Sequence, residues 1–133
     1  MGCFINKEGC YYEGDRIGQD DSEVDQRPSP FHVFANDQWS LDVVAERNSI
    51  IAQYESALDA HLDAVAKADR WRDRFTFALR AGFPNPWQAK AEAFGTWMDE
   101  CNAQAYKLLN AVKAGTSALP SVDEFIASLP VAP

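Results

Sequence analysis

The sequence predicts an α+β fold that is mostly α. A small N-terminal β-hairpin module precedes a long helical hairpin (about 41–80 and 86–114) and a short C-terminal helix (about 121–129). Three observations predict it. From Leu41 to Arg80 there is neither proline nor glycine, a run of about 40 residues or about 60 Å of helix. Apolar residues recur at every seventh position through both long segments. Before Trp39, by contrast, glycines, prolines and carboxylates punctuate short runs of aromatic and β-branched residues. The chain therefore divides into residues 1–39, a small β-rich module, and residues 40–133, a helical hairpin with its short helix.

In the N-terminal module, Cys10-Tyr11-Tyr12 and Phe31-His32-Val33-Phe34 have strand composition. Asn36-Asp37 separates Phe31–Ala35 from Gln38-Trp39, which fits a hairpin with a tight turn. The stretch DRIGQDDSEVDQRPSP reads as a polar surface loop, kept extended at Arg27–Pro30 by its two prolines. Ser40 is the expected cap of the first long helix, with Asp42 in its first turn. Along that helix Val44, Ile51, Leu58 and Val65 form one column. Tyr54, His61, Ala68 and Phe75 form the second, and Ile50, Leu62 and Trp71 widen the stripe.

The corner RAGFPNPWQ ends one helix and starts the next. Gly82 releases the first, Pro84 blocks its continuation, and Asn85-Pro86 supplies a cap and an N1 proline. Trp87, Phe94, Cys101 and Leu108 then form one column of the second helix, and Ala91, Met98, Ala105 and Val112 the other. This assigns Trp87 to the core and leaves Trp97 one position off the seam, where it broadens the buried face or reaches a partner. Phe83 lies outside both seams. Gly115 sits where a C′ glycine ends a helix. Ser121-Val122-Asp123-Glu124 matches a capping box, with Leu119 and Phe125 as its hydrophobic staple and Pro130 as its stop.

The charge balance narrows the functional classes. The net charge is −8, and residues 1–39 hold three basic and eight acidic side chains. That field repels phosphate backbones, so no nucleic acid is expected. The local basic run Lys67, Arg70, Arg72, Arg74 and Arg80 alternates with Asp69 and Asp73, which reads as solvated ion pairing along a helix. No apolar run is long enough for a membrane span, and the N-terminus lacks the order of a secretion signal, so a soluble protein made in a cytoplasm is expected.

Little in the sequence marks a reaction centre. Cys3, Cys10 and Cys101 are odd in number and lack a paired C-x-x-C spacing, which reads as free thiols and no metal. GQDDSEVD lacks the ligand spacing of a calcium loop. His61 lies between Asp59 and Asp63 but faces away from them, as a seam histidine or part of a solvated face, and His32 has no serine or cysteine partner suggested by spacing. No enzyme and no cofactor is expected. Four tryptophans in 133 residues favour a protein-binding protein, because tryptophan buries much area while keeping a polar handle. The candidate partner-binding residues are Tyr11, Tyr12, Phe31, Phe34, Trp39, Phe83 and Trp97. The candidate self-association residues, for a homo-oligomer built on the long helix, are Val44, Ile51, Tyr54, Leu58 and Val65.

Two segments also resemble a family. YYEGDRIGQDDSEVDQRPSPFHVFANDQWSLD, with its RPSP-x-H string leading into W-x-L-D and a long helix, is similar to small modules of tailed-bacteriophage tail-fibre proteins and their assembly partners. The segment AFGTWMDECNAQAYKLLNAVKAGTSALPSVDEFIASLP looks like the C-terminal part of tail-fibre assembly chaperones, with Trp97, Cys101, Leu108, Val112, Pro120 and Leu129-Pro130 in the characteristic places. The resemblance implies a chaperone-like viral tail protein that binds a tail-fibre or other tail protein and assists its folding or trimerisation in the host bacterial cytoplasm. The alternative it leaves open is a structural component of the virion tail, oligomerising through its long helix as a coiled coil.

Overall fold

The computed structural model describes residues 1–133 and has the α+β, mostly α organisation. Its elements are β1 (Gly2–Ile5), β2 (Tyr11–Gly14), β3 (Ser22–Val24), β4 (His32–Ala35), β5 (Gln38–Leu41), α1 (Val43–Ala68), α2 (Arg74–Ala78), α3 (Gln88–Lys113) and α4 (Val122–Ser128), with a 3-10 turn at Leu79–Gly82. They form two compact units, Met1–Ile50 and Ile51–Pro133, so the boundary falls inside α1.

The N-terminal unit holds two antiparallel sheets, β2-β1-β3 and β4-β5. The second is the expected hairpin. Asn36 (φ 52°) and Asp37 (φ 62°) are both left-handed, as a two-residue turn that follows the strand twist requires. Strands β1 and β3 are additions to the sequence reading, and β3 lies inside the stretch read as a loop. Ser22 and Val24 pair with Ile5 and Cys3, making β3 an edge strand whose polar residues face water.

A single carboxylate organises the β2–β3 connection. Buried Asp21 accepts the Tyr12 hydroxyl at 2.5 Å and the Gly18 N–H at 2.8 Å, while the Tyr12 oxygen accepts the Ile17 N–H at 2.9 Å. A Cβ at Gly18 would stand 2.6 Å from the Asp21 carboxylate, so a side chain there would displace the carboxylate from these bonds. Tyr11 points to the opposite face of β2, as strand alternation demands. Its ring meets Trp39 edge-on at 5.3 Å and thereby joins the two sheets, helped by the Trp39 indole N–H donating to the Asp25 carbonyl at 2.9 Å.

Asp42, not Ser40, caps α1. The Asp42 Oδ1 accepts the Ala45 N–H at 3.0 Å, whereas Ser40 is committed to β5 by its pairing with Val33. The helix also stops twelve residues before the expected Arg80. At its end the Arg70 N–H donates to Lys67 O (2.9 Å) and the Trp71 N–H to Ala66 O (3.0 Å), a Schellman closure in which Arg70 takes φ 69°. An arginine in a position that glycine usually fills gave no stop signal. A second start follows at once. Asp73 accepts the Thr76 N–H at 2.8 Å while Thr76 Oγ1 accepts the Asp73 N–H at 3.1 Å, a reciprocal cap that opens α2.

The core of the C-terminal unit packs Leu58, Leu62 and Ala66 of α1 with Phe77 of α2, Ala91, Phe94, Trp97 and Cys101 of α3, and Phe125 and Leu129. Helix α3 ends as expected, in a Schellman closure at Gly115 (φ 74°) with Thr116 N–H on Ala111 O at 3.0 Å. The Ser121 hydroxyl accepts the Glu124 N–H at 3.1 Å to start α4, but Leu119 is exposed, so the expected staple is absent. Phe125 packs instead on Tyr54 at 5.6 Å, and the Tyr54 hydroxyl donates to the Pro120 carbonyl.

Two outcomes test these local arguments. Arg70→Gly removes the left-handed penalty of a side chain and should stabilise the protein by about 1 kcal/mol, read as a higher midpoint in thermal denaturation. The Asp21 carboxyl is held below its ordinary range, first by the Tyr12 hydroxyl and then by the Gly18 N–H. A folded pKa below the unfolded one gives stability that is present above the unfolded value and lost as pH falls through the folded value. The N-terminal unit should therefore lose stability below about pH 4. Asp21→Asn should be less stable near neutrality and show a shallower acid decline, measured by melting temperature against pH.

Candidate functional site

The chain between α1 and α3 makes a corner whose aromatic side chains face both ways. Trp71, delivered by the turn at Arg70, stacks on Phe77 at 5.0 Å, and Phe77 stacks on Phe94 at 4.5 Å, carrying the corner into the core. On the outer side Phe75 (67 % exposed), Leu79 (65 %), Phe83 and Trp87 (48 %) reach solvent within thirteen residues. Such a concentration is unusual, since single apolar residues on a surface need no explanation but clustered ones mark interaction sites.

Arg80 sits at the centre. Its guanidinium lies 5.6 Å from the Trp71 ring, 5.6 Å from Phe83 and 6.0 Å from Trp87. These separations are within cation–π range. Its Nε is buried without a hydrogen-bond partner, and no carboxylate pairs with it. Asn85 holds the frame by donating from Nδ2 to the Arg80 carbonyl at 2.7 Å and the Phe83 carbonyl at 2.6 Å, while its Oδ1 accepts the Trp87 N–H at 2.9 Å. With Asn85 so used, Pro86 falls in a turn and α3 begins at Gln88, two residues later than the expected start at 86.

The basic run is not a solvated ion-paired helix face. Arg74 reaches back to α1, with Nη1 at 2.9 Å from Asp63 and Nη2 at 3.4 Å from Asp59, and its backbone N–H also donates to Asp63 at 3.0 Å. Asp69 is taken by Lys90 of α3 at 2.6 Å, a contact that, with the Trp71 indole N–H, holds its carboxyl below the usual range. Asp73 is likewise lowered, first by the Thr76 N–H it caps. Arg70, Arg72 and Arg80 are left with no ion pair.

The expected partner-binding residues divide. Tyr11, Phe34 and Trp39 come together in the N-terminal unit, with Phe34 edge-on to Trp39 at 5.1 Å and Arg27 over Tyr11 at 4.8 Å. Burial, then the Cys3 thiol and Glu13, push the Tyr11 phenol up to about 12. Tyr12 is instead stacked on Phe4 at 5.4 Å, and Phe31 is half-buried beside the turn at Ser29. Phe83 is on the outer side of the corner. Trp97 is not available to a partner: it is 3 % exposed, with its indole N–H donating to Pro130 O at 2.8 Å. The two tryptophans have exchanged places, because Trp87 precedes the first residue of α3 while Trp97, three after Phe94 and four before Cys101, lies on its buried stripe.

The self-association column also divides. Val44 is exposed and Ile51 half-buried, but Leu58 is core, Val65 packs against it, and Tyr54 is committed to α4. Of the two histidines, His61 meets Trp97 edge-on at 5.7 Å, as a seam residue would. His32 does have a serine partner: Ser29 Oγ lies 2.7 Å from its Nδ1, across a turn closed by the His32 N–H on Ser29 O. The same hydroxyl accepts the Phe31 N–H at 3.2 Å, so the pair clasps the RPSP turn. Sequence reasoning missed Arg80, Phe75 and Leu79, which it placed on one continuous helix. The one signal that could have separated them is the D-x-x-T cap at Asp73.

No protein-family model, no curated protein and no solved structure matches this chain.

The exchange of tryptophans is directly testable. Trp97→Ala should cost about 3–5 kcal/mol, as for other buried large side chains. Trp87→Ala, which removes a ring half in water, should shift the thermal midpoint only slightly in the same circular-dichroism melts.

Proposed function

We propose that this chain is a protein-binding protein that assists assembly of a phage tail fibre, holding a fibre or other tail protein during folding or trimerisation in the host cytoplasm. The observation that carries the binding role is the pair of part-exposed rings Phe83 and Trp87 around Arg80, with Phe75 and Leu79 exposed just before them in the chain. Aromatic and arginine side chains of this kind dominate binding energy at protein interfaces. The assignment to tail fibres comes from the resemblance of residues 11–42 and 93–130 to fibre modules and their assembly proteins. The corner is preformed, since the Asn85 bonds and the Trp71–Phe77 stack fix its backbone, and preformed surfaces lose less conformational freedom on binding.

A structural role in the virion tail is the second reading. It is favoured by the first turns of α1, where Val43 and Val44 are exposed next to half-buried Ile50 and Ile51.

Co-expression with a tail-fibre protein tests the first reading. Soluble fibre trimer should increase several-fold with the wild-type chain and fall back to the uncomplemented yield with the Phe83→Ala/Trp87→Ala double variant. Equal fibre yields with and without the chain would refute it. Mass spectrometry of purified particles separates the readings, because an assembly factor leaves and a tail component stays.

A further inference from the structure

The corner is a basic island in an acidic chain. Residues 67–90 contain six basic and two acidic side chains, and the remainder of the chain contains six basic and eighteen acidic. Both local carboxylates are already used, Asp69 by Lys90 and Asp73 by the α2 cap, while Arg74 is satisfied by Asp59 and Asp63. Arg80 has rings around it and no anion. What would complement it is a carboxylate next to an apolar side chain, presented on a firm backbone.

The chain itself carries such a segment. In the loop after β2, Ile17 is 84 % exposed and lies between exposed Asp15 and Asp20. Neither aspartate pairs with a cation, and Arg16, the one basic residue between them, has its guanidinium 5.3 Å over the Phe4 ring. The loop backbone is tied down from inside by the Tyr12 hydroxyl on Ile17 and the Asp21 carboxylate on Gly18. An apolar tip on an ordered loop is held out in water at a hydrophobic cost that a docking surface would remove.

We infer that the Arg80 corner of one copy receives the Asp15–Asp20 loop of a second copy, with Ile17 against Phe83 and Trp87 and a flanking carboxylate on the Arg80 guanidinium. One loop on one corner buries less than the roughly 1,000 Å² of a stable interface, so the association is weak and reversible. It is also heterologous, since the two partners offer different surfaces. Single-stranded nucleic acid is the competing anion, but the surplus negative charge elsewhere opposes it, and the guanidinium already occupies the space between the rings where bases would stack.

Sedimentation velocity on the full chain, from micromolar to millimolar concentration, tests the inference and uses this chain alone, so its outcome is decided separately from fibre capture. The wild type should associate as concentration rises, less so in high salt. Ile17→Asp and Arg80→Glu, each checked for an unchanged circular-dichroism spectrum, should both stay monomeric. Their equimolar mixture should associate again, because one variant keeps the loop and the other keeps the corner, and this recovery excludes misfolding as the cause. A wild type that is monomeric throughout, association unaffected by either variant, or a mixture that fails to recover overturns the inference. Binding of a labelled oligothymidylate that depends on Arg80, with no self-association, would overturn it in favour of nucleic acid.

Discussion

When the chain leaves α1 it takes one residue, Arg70, into the left-handed region, and the C-terminal unit is arranged around that reversal. The turn satisfies the last carbonyls of the helix and drops Trp71 onto Phe77, which stacks on Phe94, which in turn meets Trp97 at 5.7 Å. Four rings thus connect the corner to the centre of the core. Aromatic pairs in such offset and tilted geometries contribute roughly 0.5–1.5 kcal/mol each beyond their area. The left-handed arginine costs about as much as one of them, so the stack can hold the turn.

The same arrangement separates two surfaces of one short segment. Residues that face inward, Trp71 and Phe77, are covered by the core, and Phe75, Leu79, Phe83 and Trp87 keep a large share of their surface in water. On one continuous helix Phe75, Leu79, Phe83 and Trp87, spaced by four, would follow a single stripe. Breaking the helix into a turn, a five-residue helix and a 3-10 turn instead sets Trp71, Phe83 and Trp87 around Arg80. The charges act in parallel, with Arg74 and Lys90 fastening α2 and α3 to α1 and its C-terminal turn.

Much of the fold was legible because local chemistry stated it. Asn36-Asp37 announces a turn that needs two left-handed residues, Ser121 announces a cap, and Gly115 announces a helix end. The α3 column was readable at Ala91, Phe94 and Cys101, which are buried as their heptad places require, but not at Trp97. What escaped did so for definable reasons. Strand β3 is three residues of a polar edge, with no alternation to detect, and the end of α1 is made by an arginine in place of glycine. The candidate site was the least legible part. Trp87 stands before the helix, Trp97 lies on the buried stripe between Phe94 and Cys101, and Arg80 gains its surroundings from a break that heptad spacing does not register.

The hydrogen bonds that close the C-terminal unit run forward in the sequence, and this orders events during synthesis. The Tyr54 hydroxyl and the Trp97 indole N–H find their acceptors at Pro120 and Pro130, and Tyr54 finds its ring neighbour at Phe125. Until those residues leave the ribosome, α1 and α3 emerge with two polar groups and an aromatic face lacking their native neighbours. The N-terminal unit has all of its strand partners within the first 41 residues and can fold while translation continues. The final segment therefore acts as a late-arriving latch, and the helical unit reaches its native packing only after the ribosome has delivered it.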